Sequence, residues 1–288
     1  MAKAKKQEVT ALPEPSPAVT KKIEERQVQE RIAIGAHIVH ETIRREGEDE
    51  LKRTTSALAW SGLAAGLSMG FSLVAEALLA LHLPESQWSP LLVKFGYSVG
   101  FLIVVLGRQQ LFTETTLTAV LPVLALRRVE ALVQMLRLWG VVLVANLAGT
   151  YLFALCIAKI PLFAPEMQQT LAHVSAQGVG TPFWIVVVRA VFAGWLIALM
   201  VWLLPGAESA RVSIIIILTY LIGLGGFNHV IAGSTKMFFL VATGAESWGY
   251  YVGRFLAPTL LGNIIGGVSL VAFLGHAQVV AGKEQASH

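Results

Sequence analysis

Charge is scarce in this 288-residue chain: 14% of its residues are charged, against about 25% in an ordinary soluble domain. The shortage is uneven. Residues 1–53 are rich in Lys, Arg, Glu and Gln, and the rest of the chain is close to charge-free. With 55% hydrophobic residues and a mean hydropathy of +0.65, the chain beyond residue 53 suits a lipid solvent and excludes a soluble globular protein. A single cysteine, Cys156, excludes an intrachain disulfide and reads as a small core residue in an apolar run. No apolar run begins before about residue 57, which argues against a cleavable signal peptide. The net charge of +4 calls for no nucleic acid, because 11 of the 22 basic residues lie in residues 1–53, where membrane topology accounts for them.

What is present is a series of long apolar runs. Crossing about 30 Å of hydrocarbon takes about 20 residues, and six runs qualify: 57–81, 91–126, 132–158, 182–204, 212–241 and 254–277. The second and fifth are too long for a simple span and are interrupted by polar residues. One break is Arg108-Gln109-Gln110-Leu111-Phe112-Thr113-Glu114-Thr115-Thr116; the other runs from Gly225 to His229 and is followed by Gly233-Ser234-Thr235-Lys236. Each break falls in the middle member of a group of three. That pattern predicts two three-helix repeats, inverted because each has an odd number of spans, with a site where the breaks meet.

The basic residues of the head, with Arg127, Arg128, Arg137, Arg211 and Lys283, place both termini in the cytoplasm. The expected organisation is a cytoplasmic extension over 1–53, a transmembrane domain over 54–278 and a cytoplasmic tail over 279–288. Within the extension, the Pro-containing residues 1–20 read as disordered, and Val19 to Val39 reads as a helix on the cytoplasmic face. His37 and His40 belong to that surface; no further ligands accompany them, so no metal site is expected. Gly62, Gly66 and Gly70 in the first span, and Gly262, Gly266 and Gly267 in the sixth, are spaced for close helix packing.

The most informative residue is His229, an imidazole beside Asn228 and Phe227 at membrane depth. Such a group faces protein or a water-filled path. An isolated histidine would more often be packed between helices with both nitrogens satisfied. The break around it, and Thr113 in the matching break, favour a pore. Lys236, seven residues further on, either draws anions from outside or snorkels to the interface. Glu114 is out of place in an anion path: pairing with Arg108, pairing with Lys236, and a protonated state all remain open. Glu76, near the outer end of the first span, is expected at the interface or in a subunit contact.

The order of these motifs resembles the formate/nitrite transporter family. The resemblance rests on Leu111-Phe112-Thr113 and Gly226-Phe227-Asn228-His229, supported by Asn146-Leu147-Ala148-Gly149 and Gly262-Asn263-Ile264-Ile265-Gly266-Gly267. It implies an aquaporin-like protomer, a homopentamer with one pore per protomer, and a bacterial inner-membrane location. His229 would be the central pore histidine, Thr113 would face it, and Phe112 would form a constriction. Three positions depart from the family pattern: Asn228 where glutamate is usual, Gly233 where asparagine is usual, and Gly194 where asparagine is usual.

The expected fold is thus all-α, with six transmembrane helices in two inverted repeats and helices two and five broken. The expected function is passage of small monovalent anions, or their conjugate weak acids together with protons, with no cofactor. Enzymatic activity is not expected, because His229 has neither nucleophile nor metal set beside it. The alternatives are a neutral-solute channel, which would want the Asn-Pro-Ala turns this chain lacks, and a non-transporting scaffold or regulatory protein.

Overall fold

A computed structural model describes residues 35–270, and every regular element among them is helical. The first helix, α1 (Ala36–Lys52), is charged on its outer side and buries Val39, Ile43 and Leu51. The next, α2 (Thr55–His82), is started by the Thr54 hydroxyl, which accepts from the Ala57 amide at 3.3 Å, and it ends before Pro84. Then come α3 (Ser89–Leu106), α4 (Phe112–Leu126), α5 (Val129–Lys159), the short α6 (Pro165–Ala176), α7 (Phe183–Gly206), α8 (Arg211–Leu224) and α9 (Val230–Thr243). The last described helix, α10, covers 248–270 and contains a π-helical stretch, Tyr251–Leu256.

Four of these, α2, α3, α5 and α7, are long and apolar enough to cross a membrane; α4 and α9 are apolar but shorter. The predicted breaks are therefore real interruptions, between α3 and α4 and between α8 and α9. Both are built the same way. The chain leaves α3 through Arg108 at φ 49° and leaves α8 through Gly226 at φ 62°. The Gln109 amide then bonds back to the Val104 carbonyl at 3.0 Å, and the Phe227 amide to the Ile222 carbonyl at 3.0 Å. This closure occupies carbonyls that the end of a helix would otherwise leave bare in lipid. The new helices start from residues of matching backbone shape: Leu111 at φ −105°, ψ 126° before α4, and His229 at φ −106°, ψ 126° before α9.

One asparagine stitches each break to its surroundings. Asn146 of α5 accepts from the Phe112 amide at 2.9 Å and donates to the carbonyls of Gly62 (2.7 Å) and Gln110 (2.9 Å). Asn263 of α10 accepts from the Val230 amide at 2.8 Å and donates to the carbonyls of Ala190 (2.8 Å) and Asn228 (2.8 Å). Each side chain uses its acceptor and both donors, which is what broken backbone away from water requires. The glycines named from sequence permit the necessary approach. A Cβ on Gly66 would strike the Asn146 and Gly149 backbone, and one on Gly266 the backbone of Val191 and Trp195.

The two ends of α2 mark opposite ends of the bundle. At its start, Leu58 shares a core with Val39, Ile43 and Leu51 of α1; towards its finish, Leu73 and Ala77 pack with Met167, Leu171 and Val174 of α6. Residues 36–52 thus fold as one unit with the later helices, and Arg137 of α5 secures them by donating to the carbonyls of Leu51 (2.9 Å) and Arg53 (2.8 Å). The helix expected over Val19 to Val39 lies almost wholly outside the described residues, as do the tail and the end of the sixth run.

Candidate functional site

The two breaks meet at His229. Its Nδ1 accepts from the Ala232 amide at 3.1 Å, so the ring caps α9 through its own backbone neighbour. A nitrogen that accepts an N–H carries no proton, which places the ring hydrogen on Nε2. That hydrogen is donated to Thr113 Oγ1, 2.7 Å away in the first turn of α4. Residues 116 positions apart in sequence are joined by one hydrogen bond at the start of two helices, where the macrodipoles present their positive ends. The ring is 1% exposed, and the edge-on Phe101 ring lies 5.0 Å from it, centroid to centroid.

From the α6 end of the bundle, a cavity of about 180 Å³ reaches down to His229. Phe227, Asn228 and Lys236 line it as well, so four of the six residues singled out from sequence share its wall. Thr113 is in contact through the histidine. Phe112 is placed differently: its ring packs edge-on against Trp139 of α5, at 6.0 Å, away from the cavity.

The cavity wall carries four cationic side chains, Lys94, Lys236, Arg189 and Arg254, and one carboxylate, Glu76. Glu76 is fully buried and lies between the lysines, with Lys94 Nζ 2.7 Å from Oε1 and Lys236 Nζ 2.6 Å from Oε2. This corrects the expectation that Glu76 sits at an interface, and it removes Lys236 as a partner for Glu114. Lys94 also donates to Gln177 at 2.9 Å, and Lys236 Nζ lies 5.7 Å from the centre of the Tyr97 ring. Among the described residues Arg189 and Arg254 form no ion pair, leaving the cavity with a surplus of positive charge.

Lys94, Arg189 and Arg254 escaped the sequence reading although each is a charge within an apolar run, which at membrane depth is by itself a pointer to function. Two of the departures from the family pattern have a steric reason here. A Cβ at Gly233 would run into the Phe255 ring, and one at Gly194 into the Asn263 backbone. A longer polar side chain has no room at Gly194, and at Gly233 it would need the Phe255 ring to move.

Comparison with known proteins agrees with this architecture. The formate/nitrite transporter family profile matches residues 37–277, so it includes most of α1, which the motifs alone left unmatched. The inner membrane protein YfdC of Escherichia coli is 41% identical over 251 residues, 87% of this chain and 81% of its own. The formate channel BtFdhC of Bacillus thuringiensis is 25% identical over 243 residues, 82% of this chain and 92% of its own. Among solved structures, an FNT family ion channel superposes with a TM-score of 0.70 at 18% identity, covering 84% of this chain and 98% of that one. A pentameric formate channel with formate bound gives 0.61 at 20% identity, covering 82% and 99%. With paired helix breaks, a histidine–threonine contact between them and a family match across nearly all of the described residues, the chain belongs to the formate/nitrite transporter family, a family of membrane channels and transporters rather than enzymes.

Proposed function

We propose that this chain passes small monovalent anions of the formate and nitrite kind, or their conjugate acids, through one pore in each protomer of a homopentamer in a bacterial cytoplasmic membrane. In this reading it crosses the membrane six times in two inverted halves. Both termini and α1 are cytoplasmic, and the cationic cavity opens outside. The extension ahead of the transmembrane domain is a cytoplasmic appendage. The observation that carries the proposal is the cavity itself, with four cations against one carboxylate, ending on a histidine held between the two breaks.

An anion leaving water loses its hydration, and a pore must replace that interaction or remove the charge. Lys236, Arg189 and Arg254 supply the attraction on entry. At the floor, the His229 Nε2 hydrogen that rests on Thr113 is turned to the anion. The ring therefore begins as a neutral hydrogen-bond donor. Taking up a second proton at Nδ1 requires the bond from Ala232 to break, so acid coupling through this histidine involves loosening the start of α9. A neutral-solute channel has no use for such a concentration of positive charge. A non-transporting scaffold is the second reading, favoured by the 1% exposure of the ring.

Flux of formate, nitrite, lactate, acetate and hydrosulfide into vesicles containing purified protein, measured across pH, tests the proposal. Transport of at least one, lowered or altered in its pH dependence by His229→Ala, is expected. No flux of any of them would favour the scaffold, and unchanged flux in the variant would remove the histidine from the mechanism.

A further inference from the structure

Glu114, the acid that looked misplaced in an anion path, has neither partner that its sequence suggested. Lys236 is held by Glu76, and Arg108 is exposed at the break. A second carboxylate is held by Gln110 and Thr118, which flank Glu114. Glu50 projects from α1 onto α4, accepting from Gln110 Nε2 at 3.0 Å through Oε1 and from the Thr118 hydroxyl at 2.8 Å through Oε2. Glu114 lies between those two anchors in sequence, four residues from each and one helical turn before Thr118, and the charge of Glu50 acts on it.

The cluster has more acceptors than donors. Gln110, 7% exposed, has spent a donor on Glu50 while its own Oε1 is buried without a partner, and Glu114 Oε1 is in the same position. Buried oxygens of this kind want a hydrogen. Few other charges act here. On α1, Glu46 and the following Arg53 face Glu50. The Arg137 guanidinium of α5 is turned to backbone carbonyls. The charged residues of α7 and α10 are Arg189 and Arg254, in the cavity wall, and that of α2 nearest the site, Glu76, belongs to the same wall. The start of α4 favours one negative charge, but two carboxylates in one part-buried site disfavour a second.

We propose that Glu50 and Glu114 form a proton-binding site at the α1 end of the pore, sharing one proton taken from the adjoining aqueous phase at neutral pH, and that an anion passes only while this proton is bound. Binding forms one carboxyl O–H, which supplies the missing donor and leaves a single negative charge beside the path. With both groups ionised, a departing anion meets two. The statement about passage rests on the transport reading above; the statement about the proton does not.

Infrared difference spectroscopy of the full-length protein in lipid, titrated with acid and base, separates the two. A protonated-carboxyl band persisting at neutral pH is expected. It should be lost in the Glu50→Gln/Glu114→Gln double variant, and each single Gln variant should lower the proton affinity by about tenfold or more. Glutamine matches glutamate in shape, and Glu114→Asp, which keeps the acid, should retain the band and serves as the control for folding. Absence of the band from the unaltered protein, a band indifferent to both glutamine changes, or a midpoint that tracks sodium concentration would each overturn the proton site. In vesicles that carry anion flux, Glu114→Gln should move the dependence on pH at the α1 side to lower pH, and the double glutamine variant should abolish it. Persistence of that dependence in a variant whose band is gone would overturn the link to passage.

Discussion

Glu76 shows how one residue sets the chemistry around it. A fully buried carboxylate between two ammonium groups is stable only because each charge satisfies another. Glu76→Gln leaves both part-buried lysines without their counter-charge, beside two further cations, and should cost about 3 kcal/mol or more, seen as a lower unfolding midpoint in detergent. Lys236→Met leaves the carboxylate with Lys94, so its stability loss should be smaller while its anion flux falls further. A Lys236→Met protein with undiminished flux would remove that lysine from the entry path. Gly226 makes a different point. At φ 62° it holds a left-handed turn, so Gly226→Ala should cost about 1 kcal/mol in the same unfolding assay. Arg108 fills the equivalent place in the other break and bears that strain already.

At the scale of elements, the asparagine clamps should matter out of proportion to their size. Replacing Asn146 or Asn263 with leucine removes three hydrogen bonds and leaves the amide of Phe112 or Val230 and the break carbonyl of Gln110 or Asn228 unpaired, for a loss of about 3 kcal/mol in each case. Because the breaks are built alike, the two variants should be similarly unstable; a harmless change at either site would mean that water takes over its bonds. The docking of α1 should respond to pH. Burial holds the Glu50 carboxyl above the usual carboxylate range, although Gln110 and Thr118 ease it downward. Between its usual and its raised value, the docked helix keeps a proton that the undocked helix has released. Docking is therefore strongest below the usual value and weakens as pH rises through the raised one. Hydrogen exchange of the α1 amides should accelerate over that interval beyond the intrinsic base-catalysed rate, and Glu50→Gln should remove the excess.

Over the whole molecule, the sequence showed where the lipid-facing chain runs and where it is interrupted. Runs of about 20 apolar residues and breaks at matching positions follow from solvent chemistry that acts on each segment separately. The same physics marked His229 and Thr113, since polar groups at that depth need a reason. It was much less informative about partners. Nothing local tells Glu76 that Lys94 and Lys236 will converge on it from other segments, or that α1 will bring Glu50 to Gln110 and Thr118. Phe112 illustrates the same limit: its place in a break is legible, but which way its ring turns depends on Trp139 in another helix. The proposed pentamer belongs to this scale as well. Native mass spectrometry of protein extracted in mild detergent should give five copies of the chain, and a stable monomer would contradict that assembly.

By itself, then, the sequence determined the class of protein, the apolar runs and the two places where they break, because hydropathy and backbone satisfaction are written along the chain; it did not determine the helices α1 and α6. The tertiary structure decided which charges neutralise one another, which remain to face the cavity, and which nitrogen of His229 holds the hydrogen. Those outcomes depend on distances of a few ångströms between residues far apart in sequence, and only the packed bundle sets them.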